Sequence, residues 1–262
     1  MDDTIYTPKL WVPSFDDETF GNWRIESLNM VPMRGYWGTR YLVDRMPILF
    51  QGGVGSWMSV CPSEIESQEI GCRLAHGHTL VMGFGMGIAA ANTALNPAVT
   101  AVTVLEIDTD VLNQAHKLLA QLPTTTLDKI HLIQADASLW QPDQPVETLL
   151  ADIWRPLYDA GREHQVLEFQ QRIKAEQVFF WGQELNLAES ICREFDGPRI
   201  LDDVELEAFI DRHFKLPLIW PRNENYGELI FRAAQTGMEM EQQQRLGIAS
   251  YTWEGSTSSL SF

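Results

Sequence analysis

The stretch from His78 to Asp108 limits most tightly what this chain can fold into. Thr79 to Met82 is an apolar run that ends in three alternating glycines, and a segment of small residues follows. A second run, apolar and β-branched, ends in the acid Glu106. The order of strand, glycine turn, helix, strand and acid is typical of the first half of a nucleotide-binding α/β unit.

The spacing of Gly83, Gly85 and Gly87 distinguishes between nucleotide ligands. A dinucleotide fingerprint needs glycine where the chain has Ile88, and no Gly-Lys-Ser/Thr of a phosphate-binding loop follows. The spacing G-x-G-x-G is that of class I enzymes that use S-adenosylmethionine (SAM). We expect Gly83 to allow the tight turn, Gly85 to let the backbone touch the ligand and Gly87 to bring the helix close to the strand.

Glu106 strengthens this interpretation. It lies about 20 residues beyond the glycines, where an acid can bind both hydroxyls of a ribose. The competing interpretation is a glycine-rich turn in some other parallel α/β protein, which does not require an acid at this point.

Acidic residues stand at the ends of successive predicted strands. They are Glu106, Asp108, Asp136 and Asp152. Ligands of open parallel sheets bind beyond the carboxyl ends of the strands, so these side chains are expected to converge. Each one alone is equally well explained as a helix cap or a turn acid. Asp152 is the candidate catalytic residue, because a carboxylate there can orient a nucleophile or take its proton.

These motifs resemble class I SAM-dependent methyltransferases and, within them, the spermidine-synthase-like branch. The segment VTVLEID is similar to the ribose motif of the branch, IQADA to its third motif, and LLADIW to the end of its catalytic strand. The stretches 38–44 and 57–64 are similar to its N-terminal hairpin and following helix. The resemblance implies that Glu106 holds the ribose and that Asp136, with Ala137, meets the adenine amino group.

The chain departs from the family at two positions. Methyltransferases of this class usually carry an acid two residues before the first glycine, where this chain has Val81. Aminopropyltransferases carry Asp-x-x-Asp at the fourth strand, where this chain has Asp152 and Arg155. The second Asp would bind a diamine ammonium, whereas Arg155 is expected to repel it.

Three aromatic residues, Trp154, Trp181 and Tyr226, lie near predicted strand ends. Their faces can attract a sulfonium or a cationic acceptor, although ordinary core packing explains each one separately. Trp154, Arg155 and Tyr226 are the predicted substrate-binding residues.

The predicted architecture is an α/β, Rossmann-like class I methyltransferase fold. Its sheet has seven mostly parallel strands with helices on both faces, and a small N-terminal β-hairpin region precedes it. The last two strands are placed at 217–220 and 227–233 as an antiparallel pair. The predicted divisions are an N-terminal arm and β region at 1–60, a SAM-binding domain at 61–235 and a C-terminal tail at 236–262.

The charge of the chain bears on its partners. With 19 basic and 36 acidic residues the net charge is −17, which disfavours nucleic acid and anionic membranes as partners. A small-molecule acceptor, with SAM as cofactor, fits better. No apolar run approaches the length of a membrane span, and the three cysteines indicate a reduced, cytoplasmic protein without a metal site. The aromatic N-terminal arm is expected to pack over the core, which leaves a homodimer possible.

Three functions remain open from the sequence. Methyl transfer to a small molecule is favoured, because Arg155 stands in place of the diamine-binding Asp. The first alternative attacks the methionine chain of SAM and releases methylthioadenosine, by aminopropyl transfer or by cyclisation or lysis of SAM. The second is a non-catalytic SAM-binding module.

Overall fold

A computed structural model describes residues 4–222 and 224–245 of the chain. Within this part the chain forms two sheets. The first is N-terminal and contains β1 (Thr4–Ile5), β2 (Glu18–Phe20), β3 (Trp23–Arg34), β4 (Arg40–Gln51) and β5 (Gly55–Ser59). Its strand order is β1-β4-β3-β2, with β5 paired to β4, and only β1 runs parallel to its neighbour.

The N-terminal sheet is built on one long hairpin of β3 and β4. A proline at 47 favours a break in the strand, but β4 continues through it and Pro47 lies opposite Ser27. A proline removes only one backbone donor from the ladder. The Pro47 carbonyl still accepts a hydrogen bond from Val60 N at 2.9 Å, so the strand does not end there.

The second sheet is the centre of the molecule. Its elements in chain order are α1 (Pro62–Leu74), β6 (Gly77–Met82), α2 (Ile88–Leu95), β7 (Val99–Glu106), α3 (Thr109–Leu119), α4 (Thr124–Leu127), β8 (Ile130–Gln134), β9 (Thr148–Ala151), α5 (Arg162–Ile173), β10 (Gln177–Phe180), α6 (Gln183–Phe195), α7 (Asp203–His213) and α8 (Tyr226–Arg245). Five strands pair in the order β10-β9-β6-β7-β8, and every pairing is parallel. The order reverses between β6 and β9, which is the switch point where open α/β sheets bind ligands.

The central strand explains why the run from Thr79 to Met82 is apolar throughout. Leu80, Val81 and Met82 are fully buried, because helices cover both faces of a parallel sheet. The predicted alternation of strand and helix is confirmed from β6 to β10, except that no helix separates β8 from β9.

The prediction of seven strands is wrong for the described residues. Pro217 to Trp220 contributes only an isolated bridge from Leu218 to Val178, since prolines at 217 and 221 limit the run. The predicted last strand, 227–233, is the start of helix α8. Tyr226, Ile230 and Ala233 are fully buried and recur at helical spacing, so the true period was that of a helix.

Two helix starts also differ from expectation. Ser63 and Glu66 have the spacing of a capping box, which predicts a helix start at Ser63, but the N-cap of α1 is Cys61 and no side chain caps it. Thr109 is a suitable N-cap residue for α3, but Asp108 is the cap, and its side chain accepts hydrogen bonds from the backbone amides of Asp110 and Val111. Helix α8 continues across the predicted boundary at 235, and the rest of the predicted tail lies outside the described residues. No helix in the described part is long and apolar enough to cross a membrane.

Candidate functional site

A cavity of about 280 Å³ lies beyond the carboxyl ends of the parallel strands. The N-terminal sheet closes it from above through Trp23, Trp57 and Met58. Its two sides are built differently. The Glu106 side consists of the glycine turn and the residues after β7 and β8, and the Asp152 side consists of α1, the residues after β9 and Trp181.

On the Glu106 side, the carboxylate of Glu106 is fixed by backbone amides. Phe84 N donates to Oε2 at 3.0 Å and Asp108 N donates to Oε1 at 2.9 Å. The first of these amides belongs to the glycine turn, so β6, its turn and the end of β7 hold one carboxylate between them. Each carboxylate oxygen retains acceptor capacity toward the cavity.

The glycines of this turn are required mainly by the protein itself. All three have positive φ. A Cβ on Gly83 would collide with the carbonyl oxygen of Asp152, and a Cβ on Gly87 would lie 2.8 Å from the ring of Phe84. Gly83 and Gly85 line the cavity, whereas Gly87 is the N-cap of α2 and lies outside it.

Met58 covers the position where Gly85 was expected to touch a ligand. A Cβ on Gly85 would lie 2.5 Å from the Met58 sulfur, and that sulfur accepts a hydrogen bond from Met86 N at 3.2 Å. The N-terminal sheet therefore reaches the glycine turn directly.

Asp136 and Ala137 lie on the wall after β8. Asp136 Oδ1 accepts hydrogen bonds from the amide and the hydroxyl of Ser138, at 2.8 and 2.6 Å, and these bonds lower the pKa of its carboxyl. Asp136 is therefore both a turn acid and a cavity residue. Ile107, 66% exposed, adds an apolar surface between it and Glu106.

The Asp152 side contains two groups that the sequence analysis did not identify, Glu64 and Gln68. Gln68 Nε2 donates to Asp152 Oδ2 at 2.6 Å, and Ser59 N donates to Glu64 Oε2 at 2.6 Å. Glu64 and Gln68 are four residues apart on α1, on the face that packs toward the sheet. Polar residues four apart on an otherwise buried helix face are the sequence pattern that could have identified both as site residues.

Burial sets the protonation of both acids. It raises the pKa of Asp152 to about 7, against the opposing effects of Gln68 and Arg162. It also raises the pKa of Glu64 to about 8, and the negative charge of Asp152 adds to this effect. Near neutral pH the two carboxyls therefore change protonation within the same range.

Tryptophans surround this acid pair. Trp154 and Trp181 line the cavity from below, and Trp23 and Trp57, in edge contact with ring centroids 5.7 Å apart, line it from above. Trp181 Nε1 donates to Ser67 Oγ at 2.8 Å, which fixes its ring.

Arg162 supports the two lower tryptophans from behind. Its guanidinium lies 4.7 Å from the ring centroid of Trp154 and 5.9 Å from that of Trp181. It donates to the carbonyls of Pro156, Leu157 and Trp181, so it ties the segment after β9 to the end of β10. Arg162 itself does not line the cavity.

Two predicted substrate-binding residues lie elsewhere. Arg155 is exposed and donates to the carbonyl of Ser56 at 2.8 Å, away from the cavity lining. Tyr226 is fully buried at the start of α8, where its hydroxyl donates to Glu184 at 2.8 Å and accepts from Gln183. Of the predicted substrate-binding residues, the structure brings only Trp154 to the cavity. The described residues contain no group of three or more His, Cys, Asp or Glu side chains able to hold a metal ion.

Known proteins resemble this chain only in part. A scan against models of protein families finds no match, and a search of curated proteins finds no similar protein. Among solved structures, a glycopeptide N-methyltransferase, MtfA, complexed with S-adenosylhomocysteine is 27% identical, with a TM-score of 0.34. The 23S rRNA methyltransferase ErmE and an rRNA methylase from Streptococcus thermophilus are each 15% identical, with TM-scores of 0.32 and 0.31.

These similarities are partial. They cover 41%, 43% and 42% of this chain and 43%, 41% and 61% of those chains, respectively. TM-scores of this size do not identify a common function.

Proposed function

We propose that this protein is a SAM-dependent methyltransferase that acts on a small molecule. The observation that carries the proposal is the Glu106 carboxylate, which the amides of Phe84 and Asp108 hold at the cavity wall beside the glycine turn. A carboxylate oriented in this way, with one lone pair free on each oxygen, suits the two hydroxyls of a ribose.

The neighbouring residues fit the rest of SAM. Asp136 can accept from the adenine amino group, and Ile107 offers an apolar face to the base. The tryptophans of the Asp152 side suit a sulfonium, which aromatic faces attract by about 0.5–2 kcal/mol each. Val81 is fully buried in the sheet, so it does not reach the methionine end. The uncharged polar side chains of the lining that are available to that end are Gln51 and Gln68.

SAM supplies an activated methyl group on its sulfonium. The protein then has to position the acceptor in line with that methyl and manage a proton. Asp152 is placed for this role because it faces the cavity and Gln68 fixes its orientation. Burial raises its pKa to about 7, which favours exchange of a proton with an acceptor near neutral pH.

One observation favours the alternative that releases methylthioadenosine. Arg155 was expected to repel a diamine, but its side chain lies outside the cavity, and Glu64 adds a second carboxyl inside it. Aminopropyl transfer therefore stays as the second candidate, in keeping with the resemblance of the motifs to the spermidine-synthase-like branch.

Ligand binding tests the proposal. We expect SAM and S-adenosylhomocysteine to bind in titration calorimetry, and NAD and ATP not to bind. Glu106→Ala should weaken SAM binding by roughly 2–3 kcal/mol, because a charge-assisted pair to two hydroxyls is lost. Asp143→Ala, which removes an exposed acid outside the cavity, is the matched control and should bind SAM like the wild type. Tight NAD binding without a response to SAM would reject the proposal.

Product analysis separates the candidate functions. The protein is incubated with SAM and a cell extract, and the nucleoside products are identified by mass spectrometry. S-adenosylhomocysteine is the expected product. Release of methylthioadenosine would reject methyl transfer and support the second candidate function. Intact bound SAM without either product would indicate a binding module.

A further inference from the structure

We propose that Glu64 is a second catalytic carboxyl, and that together with Asp152 it receives the ammonium group of a small amine acceptor. This inference rests on the proposed function and names the class of its acceptor. It begins with the charge of the cavity wall. Five acids line the cavity, whereas none of its lining residues in the described part of the chain is Lys, Arg or His.

The position of Glu64 supports direct contact with the acceptor. Its Oε2 is held by Ser59 N, and Oε1 takes no hydrogen bond from the described part of the chain. Asp152 is arranged in the same way, because Gln68 holds Oδ2 and Oδ1 takes no hydrogen bond from the described part of the chain. Each acid is thus anchored through one oxygen and offers the other, while an ammonium has several N–H donors to share between them.

The aromatic walls add a second, independent preference for a cation. Trp23, Trp57, Trp154 and Trp181 line the same cavity as the two acids. Aromatic faces attract organic cations, but they offer no hydrogen-bond donor to the carboxylate of an anionic acceptor. An anionic acceptor would also face two acids without a partner, so the walls select against it.

The acid pair can also take the proton that amine methylation requires. The ammonium gives one proton to the carboxylate pair and becomes a neutral amine. The lone pair of its nitrogen forms the new N–C bond as the S–C bond breaks, and that bonding pair returns to sulfur. The methylated nitrogen is then a secondary ammonium, and the proton on the acid pair leaves to solvent.

The test uses the full-length protein and three probes that differ only in their polar end: phenethylamine, 2-phenylethanol and phenylacetate. Binding is measured by calorimetry with and without S-adenosylhomocysteine. We expect the amine to bind at least about tenfold more tightly than the alcohol, and phenylacetate not to bind. Equal binding of the alcohol or the acid would overturn the proposal.

Glu64→Gln isolates the charge of Glu64. The amide oxygen can still accept from Ser59 N, and a thermal melt checks that the variant folds. We expect amine affinity to fall about tenfold while S-adenosylhomocysteine affinity is kept. Glu69→Gln, one turn further along α1 and outside the cavity, is the control and should leave amine affinity unchanged. Wild-type amine affinity in Glu64→Gln would overturn the proposal.

The affinity for phenethyltrimethylammonium, whose charge is permanent, is then measured as a function of pH. A purely structural role of Glu64 would not change this pH profile. Affinity should rise between about pH 6 and 9 as both acids ionise, and Glu64→Gln should lose the upper part of that rise. Around the pair, burial raises the pKa of Cys61 to about 11 and also raises the pKa of Cys72, and Arg162 stays cationic. The other acids of the cavity lining are Glu106, Asp108 and Asp136. A flat pH profile in the wild type would count against the acid pair.

The amine titrations without nucleotide keep the two proposals apart. Amine binding by a protein that does not bind SAM would reject the methyltransferase and leave the cation site. SAM binding without any preference for the amine would do the reverse.

Discussion

The Glu106 side of the cavity is assembled from neighbouring stretches of chain, whereas the Asp152 side is assembled from distant ones. Glu106, the glycine turn and Asp136 follow three strands that pair directly with one another, β6, β7 and β8. The Asp152 side joins helix α1, the residues after β9 and Trp181 after β10, and two tryptophans of the N-terminal sheet cover it. The first arrangement depends on one supersecondary unit and the second on how three units pack, so substitutions should affect them differently.

The largest effect is expected on the Asp152 side. Asp152→Asn should lower methyl-transfer turnover by about 10²–10⁴-fold, because an amide cannot take the proton of the acceptor. SAM affinity should stay nearly unchanged, since the proposed ribose and adenine contacts belong to the Glu106 side. Single-turnover kinetics with labelled SAM and calorimetry measure the two quantities. Wild-type turnover in this variant would show that Asp152 is not catalytic. The two sides of the cavity would then no longer differ in the functions proposed for them.

The next effect should appear where the two sides meet, at Gly83. In Gly83→Ala the new Cβ would collide with the carbonyl oxygen of Asp152, at a φ of +87°. Gly53→Ala is a matched control, because Gly53 has a φ of +74° but no atom within 4 Å of its Cβ position.

We expect Gly83→Ala to reduce the free energy of unfolding by about 3 kcal/mol and Gly53→Ala by about 1 kcal/mol. Urea denaturation checks both values. Equal losses would show that backbone conformation alone, and not the close approach of β9, requires glycine at 83.

The smallest effect is expected outside both sides, at Tyr226. Tyr226→Phe removes the hydrogen bond to Glu184, which retains the one from Tyr36 at 2.8 Å. Stability should fall by about 1–2 kcal/mol, because a buried carboxyl loses a donor. SAM binding and turnover should be unchanged. Normal stability with impaired turnover would instead indicate that Tyr226 contributes to substrate binding, as the sequence predicts.

The expected and observed elements agree for the strands of the parallel sheet and differ for helices α6 and α8. Strands β6 to β10 were recognised because each is a short apolar run bounded by turns, and their acids follow from those boundaries. Helix α6 was not predicted at all, and the helical start of α8 was assigned to a strand. In both cases buried apolar residues recur at helical spacing, as Leu185, Ala188 and Ile191 do in α6, so the helical period is present in the sequence.

The roles of individual side chains were harder to predict than the elements that carry them. Asp108 and Asp136 make local contacts within two or three residues, so their turn and cap geometry follows from the chain alone. Arg155 and Tyr226 are close in sequence to strand or loop ends, yet their partners, Ser56 and Glu184, are far away in the chain. Sequence spacing does not determine such pairings.

By itself, the sequence determined the parallel α/β unit, its glycine turn and the acid at the end of β7, because all three depend on periodicity and backbone conformation within about 30 residues. Only the tertiary structure decided what faces the cavity. It placed Glu64 and Gln68 of α1 opposite Asp152, brought Trp23 and Trp57 over them and turned Arg155 away. These positions depend on the packing of one helix and one β-sheet against the strand ends, and long-range packing leaves no fixed spacing in the sequence.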